Sequence, residues 1–150
     1  MLDKLFSSFS RDRNDSAPDE SALPKAIAAL LVEAARADED YTDLERELID
    51  KILRRQFDID GATAQEIRTD AEAAQAAAHD MYGFSRVVKE QLDYTERTQL
   101  IEDMWVIALS DVSSEPYEEM IIRRLLGLIH VEDVDSTAAR HRAAERLKSS

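Results

Sequence analysis

The sequence predicts an all-α protein, a bundle of about seven helices, and three observations carry that prediction. Apolar residues recur at helical spacing from Leu23 to the last turn of the chain. No stretch alternates with a period of two over a useful length. The 150 residues include only three Gly and three Pro beside abundant Ala, Leu, Glu and Arg. With 44% hydrophobic residues, a chain of this length can bury a single core.

In chain order, the first 22 residues read as a short amphipathic segment plus a flexible linker, and residues 23–150 as the helical domain. Leu2, Leu5, Phe6 and Phe9 fall on one helical face, and Ser7 to Ala22 is rich in Ser, Asp, Arg and Asn. Ala26, Ile27, Leu30, Leu31, Ala34 and Ala35 stripe a first helix starting near Pro24. Leu44, Leu48, Ile49, Ile52 and Leu53 stripe a second, closing near Phe57. Asp60-Gly61 breaks the chain, and Thr63-Ala64-Gln65-Glu66 has the form of a capping box for an Ala-rich third helix. Met81, Tyr82, Phe84, Val87, Val88 and Leu92 mark a fourth. Asp93 or Thr95 caps a fifth, which carries Leu100, Ile101, Met104, Trp105 and Ala108. Pro116 opens a sixth with Ile121, Ile122, Leu125, Leu126 and Ile129, and a basic seventh runs from about Ser136 to Lys148.

Composition excludes several functions. The net charge of -13 repels nucleic acid and favours cations or basic partners. There is no Cys, hence no disulfide, zinc–thiolate site or thiol nucleophile. No apolar run approaches the roughly 18 residues of a membrane span, and the N-terminal stretch lacks a signal-peptide pattern. The expected location is the cytoplasm, peripheral to the inner membrane if the face of Leu2, Leu5, Phe6 and Phe9 meets lipid. His79, His130 and His141 form no i, i+4 pair, and neither a Gly-rich phosphate loop nor a nucleophile–base spacing occurs. No enzyme is expected. Trp105 and Met104 are expected in the core, and the basic last helix is expected to pair with acids elsewhere.

Sliding the sequence on itself by 73 positions aligns two helical hairpins without a gap. Leu31 meets Met104, Ala34 Ile107, Ala35 Ala108, Asp38 Asp111, Glu45 Glu118, Leu48 Ile121, Ile49 Ile122, Ile52 Leu125 and Leu53 Leu126. Amphipathic helices alone would give the apolar matches. The Asp-x6-Glu frame at the same offset is harder to obtain by chance and suggests a pseudo-twofold repeat.

That repeated frame, an apolar helix, an Asp, a short turn and a Glu, resembles the tellurite-resistance TerB family. The stretches Asp80-Met81-Tyr82-Gly83-Phe84-Ser85, Asp103-Met104-Trp105 with Ala108, and Tyr117-Glu118-Glu119 with Ile122-Arg123-Arg124 add to the likeness, which covers roughly Leu23 to Leu147. It is closer to a bacterial branch of that family than to its operon-encoded founder. The resemblance implies two overlapping helical bundles, an acidic metal-binding face, a place in stress or membrane-associated assemblies, and no catalytic activity. Where the family usually has Ala-Asp-Gly, this chain has Ala37-Asp38-Glu39 and Ser110-Asp111-Val112. Gly suits the left-handed end of a helix; Glu tolerates that conformation poorly and Val worse.

The candidate metal ligands are therefore Asp38, Asp40, Glu45, Asp111 and Glu118, for Ca²⁺, Mg²⁺ or Mn²⁺, which take several hard oxygen donors. A structural reading competes. Thr42-Asp43-Leu44-Glu45 is a capping box, and Glu118 sits in a first turn where the helix dipole favours an acid. Asp38 stands at the wrong helix end for its charge, so either a cation or the amides of the following turn must compensate it. An EF-hand fits neither the frame from Asp38 nor the one around Gly61. Tellurite, an oxyanion, has the wrong sign for these acidic turns. The function expected is a non-enzymatic adaptor or scaffold that binds a divalent cation or a basic protein partner through the acidic turns. The alternative is a peripheral membrane module tethered by the N-terminal face.

Overall fold

In the computed structural model the described residues are 22–37, 39–111 and 115–149, and they form seven α-helices and no strand. These are α1 (Ala22–Ala35), α2 (Asp43–Phe57), α3 (Gly61–Ala77), α4 (Tyr82–Gln91), α5 (Tyr94–Leu109), α6 (Glu115–Ile129) and α7 (Asp133–Lys148). The amphipathic face of Leu2, Leu5, Phe6 and Phe9, and the linker up to Ser21, lie outside the described residues. Ala22, expected at the linker's end, is already the first residue of α1.

The helix α1 is apolar almost all round, and the fold puts it in the middle. Ala26 to Val32, Ala34 and Ala35 are all buried, a wider band than one stripe. It packs against α2, α3, α4, α5 and α6, and its five buried alanines let those neighbours approach closely. Its counterpart in the repeat, α5, is buried without interruption from Leu100 to Ala108 and packs on α1, α2, α6 and α7. Each of these helices is followed by one with a true stripe: Ile49, Ile52 and Leu53 on α2, and Ile122, Leu125, Leu126 and Ile129 on α6. The four apolar pairs that the 73-residue offset aligns here, Leu48 with Ile121, Ile49 with Ile122, Ile52 with Leu125 and Leu53 with Leu126, are buried or half-buried in both copies. Trp105 and Met104 are core residues, as their spacing predicts.

Two helix starts and one stripe residue differ from the sequence expectation. The third helix begins at Gly61, not at Thr63: the Asp60 carboxylate accepts from the Thr63 amide at 2.7 Å. Asp caps as well as Thr, and the earlier start puts Ala64, Arg68 and Ala71 on the inner face. The last helix begins at Asp133, a turn before Ser136, because Ser136 is buried and its hydroxyl accepts from Trp105 Nε1 at 3.0 Å. Leu44, assigned to the α2 stripe, faces solvent; the inner face there is taken by Glu45. Of the two candidate caps of α5, Asp93 is the one used, in a reciprocal box with Glu96 at 2.8 and 2.9 Å. At the end of α6, His130 is left-handed (φ 60°), and the Val131 amide donates to the Leu126 carbonyl at 3.1 Å. That is the six-to-one bond that closes a helix end.

Candidate functional site

The turn from α1 to α2 is anchored before any ligand is considered. Glu39 has φ 66°, the left-handed conformation that its place after the helix demands, and its amide donates to the Arg36 carbonyl at 2.9 Å. Thr42 caps α2: its hydroxyl accepts from the Glu45 amide at 3.1 Å while Glu45 Oε1 accepts from the Thr42 amide at 2.9 Å. Both halves of the capping box are present, with Glu45 fully buried. Asp38 lies outside the described residues. Around it, Glu39, Asp40, Asp43 and Glu47 are exposed to solvent.

Beneath those acids is a polar network that sequence reasoning missed. Tyr41 lies between two guanidinium groups, Arg46 at 4.3 Å and Arg36 at 5.0 Å from its ring centroid. Its hydroxyl donates to Glu72 Oε2 at 2.6 Å. Arg68, buried on α3, donates to that same oxygen at 2.8 Å and to Asp50 on α2 at 2.6 Å. Arg36 also donates to Gln75 at 2.6 Å, which donates in turn to Glu33 at 2.8 Å. One chain of polar contacts thus ties α1, the turn, α2 and α3.

The electrostatics follow from that geometry. Burial pushes the Tyr41 hydroxyl well above the ordinary tyrosine range, and its bond to the Glu72 carboxylate adds to the shift. Burial works against the charge on Glu72, but hydrogen bonds from Tyr41 and Arg68, with the charges of Arg68 and Arg46, outweigh it and lower its pKa. Burial likewise opposes the charge of Arg68, and its carboxylate partners more than restore it. One signal could have exposed this network. Arg68 shares a helix face with Ala64 and Ala71, where a charged residue needs buried partners.

The second turn, after α5, is built differently at its start. Ser110 is right-handed (φ -70°) and its hydroxyl donates to the Ile107 carbonyl at 2.7 Å. Asp111 is half-buried and Glu118 fully buried, while Val112 lies outside the described residues. The repeat therefore places Glu45 and Glu118 alike, each buried in the opening turn of a striped helix. Among the described residues, no group of three or more His, Asp or Glu side chains comes close enough to hold a metal ion. The three histidines stand apart, each lining a different cavity.

A second acidic centre, Glu102 and Asp103 on α5, is buried against the basic last helix. Asp103 accepts from Arg146 at 2.9 Å and from Arg55 of α2 at 2.8 Å. Glu102 accepts from Arg142 at 2.6 Å and from Arg146 at 3.1 Å. Arg140 stacks on the Trp105 ring at 4.8 Å. The expected pairing of the basic helix with acids elsewhere is realised here, and it consumes Arg142 and Arg146 in holding α7 to the bundle.

A helical bundle with two turn-bounded hairpins, joined through arginine–carboxylate networks, defines the class. The family model described as tellurite resistance protein TerB matches residues 24–141. The chain belongs to the TerB family. Neither a curated protein nor a solved structure matches it significantly. No helix among the described residues is long and apolar enough to cross a membrane.

Proposed function

We propose that the protein is a non-enzymatic adaptor or scaffold whose acidic inter-helix turn contacts a basic segment of a protein partner. The observation that supports this reading is the division of labour at the first turn. Glu45 holds the Thr42 amide, Tyr41 and Arg68 share Glu72 beneath the turn and Arg46 stacks on Tyr41, while Glu39, Asp40, Asp43 and Glu47 are exposed within nine residues. A turn that carries acids into solvent attracts cationic groups, and bonds that hold it beforehand lower the entropy lost when they bind. A stress-response or membrane-associated assembly is the setting in which such a scaffold would act.

The test is a titration of the labelled full chain with a short oligolysine peptide, followed by amide shifts. Shifts confined to residues 39–47, lost at high salt and in an Asp40→Asn/Asp43→Asn/Glu47→Gln variant, are expected. Shifts spread over every acidic surface would overturn the reading.

A divalent cation is the second ligand proposed for the same turn. Asp38, Asp40 and Glu45 would supply hard oxygen donors, with Asp111 and Glu118 the counterparts of Asp38 and Glu45 in the repeat. Thermal-shift and calorimetric titrations with Ca²⁺, Mg²⁺ and Mn²⁺, set against Asp38→Asn, decide it. No stabilisation at millimolar ion, or the same stabilisation in the variant, removes the metal. The membrane alternative rests on the apolar spacing of Leu2, Leu5, Phe6 and Phe9. Equal liposome co-sedimentation of the full chain and a chain starting at Ala22 would dismiss it.

A further inference from the structure

Away from the acidic turns, α4 and the end of α6 flank an open groove of about 440 Å³ with the opposite character. Tyr82, Arg86 and Lys89 from α4, Gly127 and Leu128 from α6, and His130 just after it line the groove together with Gly83 and Ser85, and no Asp or Glu among the described residues does. Arg86 and Lys89 are three apart on one helix, so their side chains project over the same opening. The chain has 32 acidic against 19 basic residues, and its other arginines are largely engaged: Arg36, Arg46, Arg55, Arg68, Arg142 and Arg146 all hold acceptors. Neither Arg86 nor Lys89 meets an internal acceptor among the described residues.

The glycines make an independent point. Two of the chain's three, Gly83 and Gly127, line this groove. Both lie within helices, neither has a positive φ, and a Cβ added to either would meet nothing within 4 Å. Helix propensity argues against Gly at position 127, and no close approach of another element calls for it. What the absent side chains leave is open space beside two cations and an aromatic ring.

We propose that this groove binds a small phosphate-bearing organic molecule, its phosphate held by Arg86 and Lys89 and its body resting against Tyr82 and Leu128. The Arg fork suits phosphate oxygens, and Lys adds a point charge beside it. The volume falls in the range of small-molecule sites rather than of a single bound ion. A net charge of -13 works against general anion binding, so an anion retained here is retained by the local groups. This site is independent of the acidic turn, and either can fail without the other.

The experiment titrates the labelled full chain with glycerol 3-phosphate, with inorganic phosphate, and with glycerol as the body alone. Saturable amide shifts confined to residues 82–89 and 127–130 are expected with the two phosphates. An Arg86→Ala/Lys89→Ala variant should lose about tenfold or more in affinity, as removal of two charge-assisted bonds implies. Gly127→Met fills the space and should remove the preference for glycerol 3-phosphate over inorganic phosphate. None of these positions carries core packing, and circular dichroism checks that each variant is folded. Vesicles of phosphatidate in phosphatidylcholine distinguish the source. Recovery that glycerol 3-phosphate competes away and the double variant lacks assigns a lipid headgroup; phosphate binding without recovery assigns a soluble metabolite. No saturable shift at millimolar ligand, or equal shifts in the double variant, overturns the proposal.

Discussion

Glu39 sits at φ 66° because the chain must leave α1 in a left-handed step, and a Cβ in that region costs about 1–2 kcal/mol. The strain is legible in the sequence only through the resemblance, since the family places Gly there. Glu39→Gly should therefore stabilise the fold by about 0.5–1 kcal/mol, the relief less the added freedom of the unfolded chain. Urea denaturation of the two proteins checks it, and an unchanged or lower midpoint would refute the strain. The Thr42–Glu45 box was readable from four letters, because capping depends on residues close in sequence. Tyr41 was not. Its hydroxyl meets Glu72, 31 positions away, and nothing in the turn's own sequence announces that partner.

At the scale of the element, α7 shows how far periodicity reaches. Its basic character was plain, and so was the need for acids; which acids depended on how α5 and α7 cross. Glu102 and Asp103 are adjacent in sequence, and both are buried because α5 is surrounded on all sides. Removing one partner of a buried pair typically costs about 3–5 kcal/mol. Arg55 and Arg146 are 47% and 30% exposed and can regain water, which lowers the expectation for Asp103→Ala to about 2–3 kcal/mol. The only tryptophan, Trp105, lies under Arg140 and donates to Ser136 of α7, so it reports the docking of that helix. Its emission should shift to the red in Asp103→Ala under mild denaturant before global unfolding. Coincident fluorescence and circular-dichroism transitions would show instead that α7 has no separate loosening. The start of α3 turns on Asp60 and Thr63, two residues that cap equally well on paper, and the Asp60 carboxylate is the one used; α7 starts at Asp133 with no side-chain cap from Glu132.

For the whole molecule, pH dependence follows from the Tyr41–Glu72 pair. The Glu72 carboxyl has a folded pKa below its unfolded value, so its contribution is present at neutral pH and lost as pH falls through the carboxylate range. The Tyr41 hydroxyl has a folded pKa above its unfolded value, so its contribution is present at neutral pH. It is lost as pH rises past about 10. Stability measured in urea from acid to alkaline pH should fall at both ends in the wild type. Tyr41→Phe should flatten the alkaline limb and Glu72→Gln the acid one; limbs unchanged by either variant would remove the pair from the account. A charge of -13 adds self-repulsion that screening by salt relieves, and Glu72→Gln changes that charge by only one.

The sequence by itself determined the helical class, the order of the seven elements, the 73-residue repeat and the cap at Thr42. Each of these depends on local spacing, which a chain carries wherever it folds. Tertiary structure alone decided that the turn's acids face outward over an arginine network. It also decided that Asp103 rather than a ligand takes up Arg146, and that Arg86, Lys89 and Gly127 meet around one groove. Those pairings join residues on different helices, and the crossing of packed helices, not periodicity, sets which side chains meet.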